Sequence, residues 1–147
     1  MLPKLVAIAA IAVAVVAGVF VYFSYMSTSN SVPNVKFVEF NVDKTDIKVG
    51  ESSTITFNVE SQEQQMINNT KVAIVITPSG YQPYLTVDKQ TTVLPVLAGK
   101  GARTGEESAS ITAVGVPAQE ATYSVKAILY AENVQSDIKN FDLHIHQ

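Results

Sequence analysis

Thr54-Ile55-Thr56-Phe57-Asn58-Val59 alternates without a break, placing Ile55, Phe57 and Val59 on one side and Thr54, Thr56 and Asn58 on the other. Successive side chains of a β-strand point to opposite faces, so this stretch predicts a strand with one buried and one wet face. The same rhythm returns at Ser108 to Val114, where Ala109, Ile111 and Ala113 oppose Ser108, Ser110 and Thr112. Alternation of this kind belongs to antiparallel sheets that pack a core on one side only.

Further strand signals spread outward from this pair. Val35 to Phe40 opens the set, and Lys71 to Thr77 (KVAIVIT) is a β-branched run suited to a central strand covered on both faces. Pro78-Ser79-Gly80 ends that run in a turn. Tyr84 to Val87 and Thr91 to Leu97 are shorter candidates. Tyr123 to Tyr130 and Asp137 to Ile145 close the series, the latter burying Phe141, Leu143 and Ile145. About seven strands with turn signals roughly every 8–15 residues predict an all-β, Ig-like antiparallel sandwich over residues 35–147. The chain has 147 residues and no cysteine, so its core alone must hold the domain. The net charge of −3 offers no basic field for nucleic acid, which is set aside as a partner.

The front of the chain is different in kind. Leu5 to Phe23, LVAIAAIAVAVVAGVFVYF, carries no charge. As a helix rising ~1.5 Å per residue it would span about 28 Å, close to the ~30 Å hydrocarbon thickness of a bilayer. Residues 1–26 are therefore expected to form an N-terminal transmembrane helix and residues 27–34 a polar linker interrupted by Pro33. Lys4 precedes the run and no basic residue follows until Lys36, which orients the N-terminus to the cytoplasm and the β domain outside. Tyr22 and Tyr25 suit the outer interface. A cleaved secretory signal fits less well, because Ser24 to Thr28 supply no small-x-small site and Ala12-Val13-Ala14 lies inside the run. Ala10, Ala14 and Gly18, flanked by Ala7 and Ala17, form a small-residue ridge that lets a second helix approach.

Two resemblances follow from these residues. Ile47-Lys48-Val49-Gly50-Glu51, followed by Ile55, Phe57 and Val59, resembles the opening of CARDB-type and related Ig-like adhesion modules. Ala121-Thr122-Tyr123-Ser124-Val125-Lys126-Ala127 is similar to their late T-Y-x-V-x-A strand. This implies an adhesive or scaffolding module. Ala14 to Tyr22 resembles the hydrophobic stem of archaeal type IV pilins and archaellins, which also carry a β domain after the stem. Those precursors are cut after a basic and a small residue, a pair missing from Met1-Leu2-Pro3-Lys4-Leu5. The single-span accessory proteins of the archaeal flagellar motor share the same plan.

Residues fit for chemistry are sparse. His144 and His146 are the only histidines, two apart on the final strand and facing away from Leu143 and Ile145. They are the weak candidates for a metal, Cu²⁺ or Zn²⁺, with Asp142 the nearest further ligand in sequence. Without a cysteine or a third histidine, no cupredoxin-like ligand set is complete, and no cofactor is expected. The Gly99 to Gly105 loop has no phosphate-binding order and reads as a mobile hairpin tip carrying the single arginine, Arg103. Asn68-Asn69-Thr70 is the sole N-glycosylation sequon and makes Asn68 the candidate acceptor. Asp43 to Asp46 lacks the acidic density of a calcium loop, and no nucleophile–base set stands out.

The expectation is a non-enzymatic, single-pass protein of the cell membrane, with a structural or accessory role in a membrane or cell-surface assembly. Its partners would be the membrane and other protein subunits, including copies of itself. Contacts would run through sheet edges, the Gln82–Thr92 and Gly99–Glu107 loops and the helix ridge. The alternative is a pilin-like subunit of an extracellular filament with its helix in the filament core. A copper-binding accessory domain is the third reading.

Overall fold

The computed structural model describes residues 31–147, of which Val32–Gln147 form a compact unit. The expected helix over residues 1–26, its Ala10/Ala14/Gly18 ridge and half of the linker (27–30) lie outside the described residues. Among those described, no helix is long and apolar enough to cross a membrane.

The strands are β1 (Val35–Val42), β2 (Asp46–Lys48), β3 (Ser52–Ser61), β4 (Lys71–Thr77), β5 (Leu85–Val87), β6 (Thr91–Val93), β7 (Glu107–Ala113), β8 (Glu120–Ala131) and β9 (Val134–His146). They build a four-stranded sheet in the order β1-β3-β7-β5 and a five-stranded sheet in the order β2-β9-β8-β4-β6. The fold is all-β and Ig-like. Two details correct the expectation of about seven antiparallel strands. Nine strands lie among the described residues, and β2 runs parallel to β9, pairing Asp46 with His144, Ile47 with Ile145 and Lys48 with His146.

Alternation decides which face of each sheet is buried. Along β3 the pattern is strict, and Ile55, Phe57 and Val59 are buried beside Ala109, Ile111 and Ala113 of β7. The facing sheet contributes Val72, Ile74, Ile76, Val125, Ala127, Leu129, Leu143 and Ile145 to the same core. Phe37 packs edge-on against Phe57, their ring centroids 5.7 Å apart. On the outer face of the first sheet, Ser52 pairs with Thr112 (2.7 Å) and Thr54 with Ser110 (3.2 Å), a hydroxyl ladder of cross-strand hydrogen bonds. β4 is covered on one face only, contrary to the expectation from KVAIVIT, because its outward positions run Lys71, Ala73, Val75 and Thr77 and Val75 stays 40% exposed.

Turn chemistry fixes the joints. Glu51 N–H donates to the Lys48 carbonyl (2.9 Å), closing a β-turn whose third residue, Gly50, has φ +96°. That backbone region suits glycine, and it swings the chain from β2 in one sheet to β3 in the other. The β8–β9 hairpin turns on Glu132 and Asn133, both at positive φ, as a two-residue type I′ turn requires. A bulge between Leu129 and Tyr130 then shifts the register of the long β8–β9 ladder by one residue. The Gly99 to Gly105 segment is not a free tip. Gly101 N–H and Ser61 N–H bond to Ser61 and Ala102 carbonyls, and Thr104 exchanges bonds with Val59 through its N–H and its buried hydroxyl. These bonds cover the end of β3 beyond the reach of β7.

Candidate functional site

The side chains that converge outside the core lie on the outer face of the five-stranded sheet, where β2, β9 and β8 run side by side. His144 and His146 project from β9 on that face, while Leu143 and Ile145 between and beside them are fully buried. Their rings are 6.0 Å apart between centroids and tilted by 31°. The parallel β2 brings Asp46 alongside, and antiparallel β8 brings Glu120 and Thr122 from the other side.

The contacts run diagonally across the ladders. Asp46 sits in register with His144, yet its Oδ1 lies 2.8 Å from Nδ1 of His146. Glu120 sits in register with His146, yet its Oε2 lies 3.4 Å from Nε2 of His144. Each imidazole thus has its own carboxylate, one from each flanking strand. Thr122, directly opposite His144, hydrogen-bonds its Oγ1 to Nδ1 (3.0 Å) and turns Nε2 toward Glu120. One ligand atom each from Asp46, His144 and His146 lies within 4.8 Å of the other two. Asp142, the further ligand expected from sequence, is not in this group. It shares the face and lies opposite Ser124, but the lateral neighbour β2 closes the cluster instead.

The border of the site is basic and acidic in turn. Lys48 is in register with His146 on β2. Its N–H donates to Glu51 Oε2 (2.9 Å), which holds the Glu51 carboxyl below its ordinary value. Desolvation opposes that shift, and nearby Lys44, Lys48 and His146 reinforce it.

Two signals were missed in sequence. Asp46 is separated from His144 by most of the domain, and a three-residue strand has too little pattern to announce a parallel pairing. Glu120 and Thr122 could be reached by counting back from the Glu132-Asn133 turn, but an unbulged count lands one residue away, on the wrong face.

The other singled-out residues do not join this cluster. Asn68 is exposed, and its N–H donates to Glu132 Oε1 (2.6 Å). Thr70 of the same sequon is buried with its hydroxyl unpartnered. Arg103 pairs with Glu60 at the far end of β3.

No protein-family profile and no curated protein sequence matches the chain. Solved structures do. The chain is similar to the CARDB domain of a Pyrococcus furiosus protein, with 15% identity, a TM-score of 0.50, and 78% of this chain and 96% of that one covered. It is also similar to part of Escherichia coli alpha-2-macroglobulin, with 14% identity, a TM-score of 0.54 and 77% of this chain covered. The match spans 7% of that much longer chain. These likenesses assign the fold to the CARDB/Ig-like β modules.

Proposed function

We propose that the chain is a non-enzymatic, extracytoplasmic Ig-like module, anchored by its apolar helix at residues 5–23 with the N-terminus in the cytoplasm. It serves as a structural or accessory subunit of a membrane or cell-surface assembly through protein–protein contacts. The observation that carries this reading is the succession of an uncharged, bilayer-length run and a CARDB-like sandwich within one chain. The sandwich also offers free strand edges. Among the described residues β9 is paired by β2 only at Asp46–Lys48, and the outer side of its Val134–Leu143 stretch pairs with no strand, its one tie there being the Phe37 N–H held by Asp137. Val134 and Ile138 on this stretch are 38% and 40% exposed. An open edge with apolar side chains is a surface on which a partner strand can add.

The test is fractionation of native cells followed by mild detergent extraction and size analysis. The protein should stay in the membrane fraction, leave it only with detergent, and migrate as a discrete complex larger than its own mass. Recovery as a detergent-free soluble monomer would overturn the proposal. The Ala10/Ala14/Gly18 ridge favours a second reading, a filament subunit whose helices pack together in the filament core. Recovery of the protein as polymer in sheared surface fractions would favour that reading over the anchor.

A further inference from the structure

We infer that Asp46, His144 and His146 form a surface site for one divalent transition-metal ion, Cu²⁺ or Zn²⁺, with Glu120 beside it. The argument begins with donor chemistry. Two imidazoles and one carboxylate make an N₂O set that solvent can complete, which suits Cu²⁺ and Zn²⁺ and is poor for Mg²⁺ or Ca²⁺, which take oxygen ligands. With Glu120, four such side chains on one patch are an uncommon use of the few available. Both histidines of the chain are in it, and the carboxylates arrive from two different neighbouring strands.

The geometry is close to what an ion needs. Ligand atoms around a tetrahedral ion bound at ~2.0–2.2 Å stand about 3.4 Å apart. The His146 Nδ1 to Asp46 Oδ1 separation is 2.8 Å and the His144 Nε2 to Glu120 Oε2 separation is 3.4 Å. The Asp46, His144 and His146 ligand atoms lie within 4.8 Å of one another. The two imidazoles are half-exposed and the Asp46 carboxylate is exposed, so all three side chains can turn toward an ion. Thr122 supplies the outer support. In the tautomer with the proton on Nδ1, the Thr122 hydroxyl accepts it and Nε2 keeps the free lone pair that a metal requires. Simple cross-strand ion pairing needs neither that orientation nor two imidazoles side by side.

The charge balance agrees. With both histidines neutral, Asp46 brings one negative charge to the ion and Glu120 stands beside His144 with a second. Lys48 borders the site, and its backbone N–H donates to Glu51, which lies outside the ligand set. By the general affinity order of N/O sites, Cu²⁺ should bind more tightly than Zn²⁺.

The experiment uses the full chain in detergent, stripped with a chelator and titrated with Cu²⁺ or Zn²⁺ alone. Cu²⁺ should bind with one-to-one stoichiometry and give an electron paramagnetic resonance spectrum with coupling to two nitrogens. Zn²⁺ should raise Tm by about 5 °C or more at large excess over Kd. His144→Ala combined with His146→Ala should weaken binding at least about 100-fold and abolish the Zn²⁺ shift. Asp46→Asn, a milder change at an exposed position, should weaken binding about 10-fold or more with the circular dichroism spectrum unchanged, and it decides the matter if the double variant fails to fold. Binding and spectra indifferent to these substitutions, as with an adventitious ion at the N-terminal amine, would overturn the inference.

Discussion

Phe37 and Asp137 tie the two sheets together: the backbone N–H of Phe37 on β1 donates to Oδ2 of Asp137 on β9 at 3.0 Å. The other carboxylate oxygen accepts the N–H of Ile138 at 2.9 Å. One carboxylate therefore satisfies two edge amides, one from each sheet, at a point where β1 is bulged and β9 lacks an outer partner. A buried or half-buried amide without a partner is costly, so the bond does more than its small number suggests.

Asp137→Ala should destabilise the domain by about 1–2 kcal/mol, less than for a buried pair because the carboxylate is partly solvated. Asp137→Asn, which keeps one acceptor oxygen, should recover part of the loss. Urea unfolding of the two variants beside the parent checks both statements. Equal stability of all three would show the clamp to be incidental.

Phe57 stands at the centre of the packing, 1% exposed and edge-on to Phe37. Phe57→Ala should cost about 3–5 kcal/mol, through lost transfer energy and the cavity left behind. With no disulfide to limit the unfolded chain, that loss falls on a domain held by its core alone. Thermal denaturation followed by circular dichroism would measure it.

Thr70 presents the opposite case. Its hydroxyl is buried without a partner. Thr70→Val replaces it by a methyl of nearly the same shape and should stabilise the unglycosylated protein by about 1 kcal/mol. The same change destroys the Asn68 sequon. In a host that glycosylates, Asn68→Gln and Thr70→Val should both remove one glycan from the intact mass, and only the second should raise Tm in a host that does not.

Glu51 gives a pH dependence with a definite sign. Its folded pKa is lowered, chiefly by the Lys48 N–H, so its ionised form favours folding. That contribution is complete above the ordinary carboxylate pKa and is lost as pH falls through the lower, folded value. Glu51→Gln keeps an acceptor oxygen for Lys48 but not the charge. The variant should melt below the parent at about pH 7, and the gap should close near pH 2, where both side chains are neutral. A gap that persists at acid pH would assign the effect to packing.

How much of this was legible in the sequence depends on the range of the interaction. Ile55, Phe57 and Val59 announce their face by local alternation, and the structure buries all three. Gly50 announces its turn because few other residues take its φ. KVAIVIT misled, since β-branched residues favour strands on either face and Val75 is merely tolerated in water. In the candidate site the two histidines were visible from their spacing, whereas Asp46 and Glu120 were not. One depends on a parallel pairing across the whole domain and the other on a bulge, and neither leaves a local pattern.

The β2–β9 pairing has a consequence in time. Asp46–Lys48 can find its partner only after residues 144–146 have emerged, so the five-stranded sheet stays incomplete while the residues between them are made. Contacts of such sequence separation form late and slowly. Until then the β9-facing edge and the apolar side chains beneath it have no cover, and the emerging chain depends on its environment to keep them apart from other chains. The Asp46–His144–His146 cluster comes into being with that same pairing, which makes it a marker of a completed five-stranded sheet.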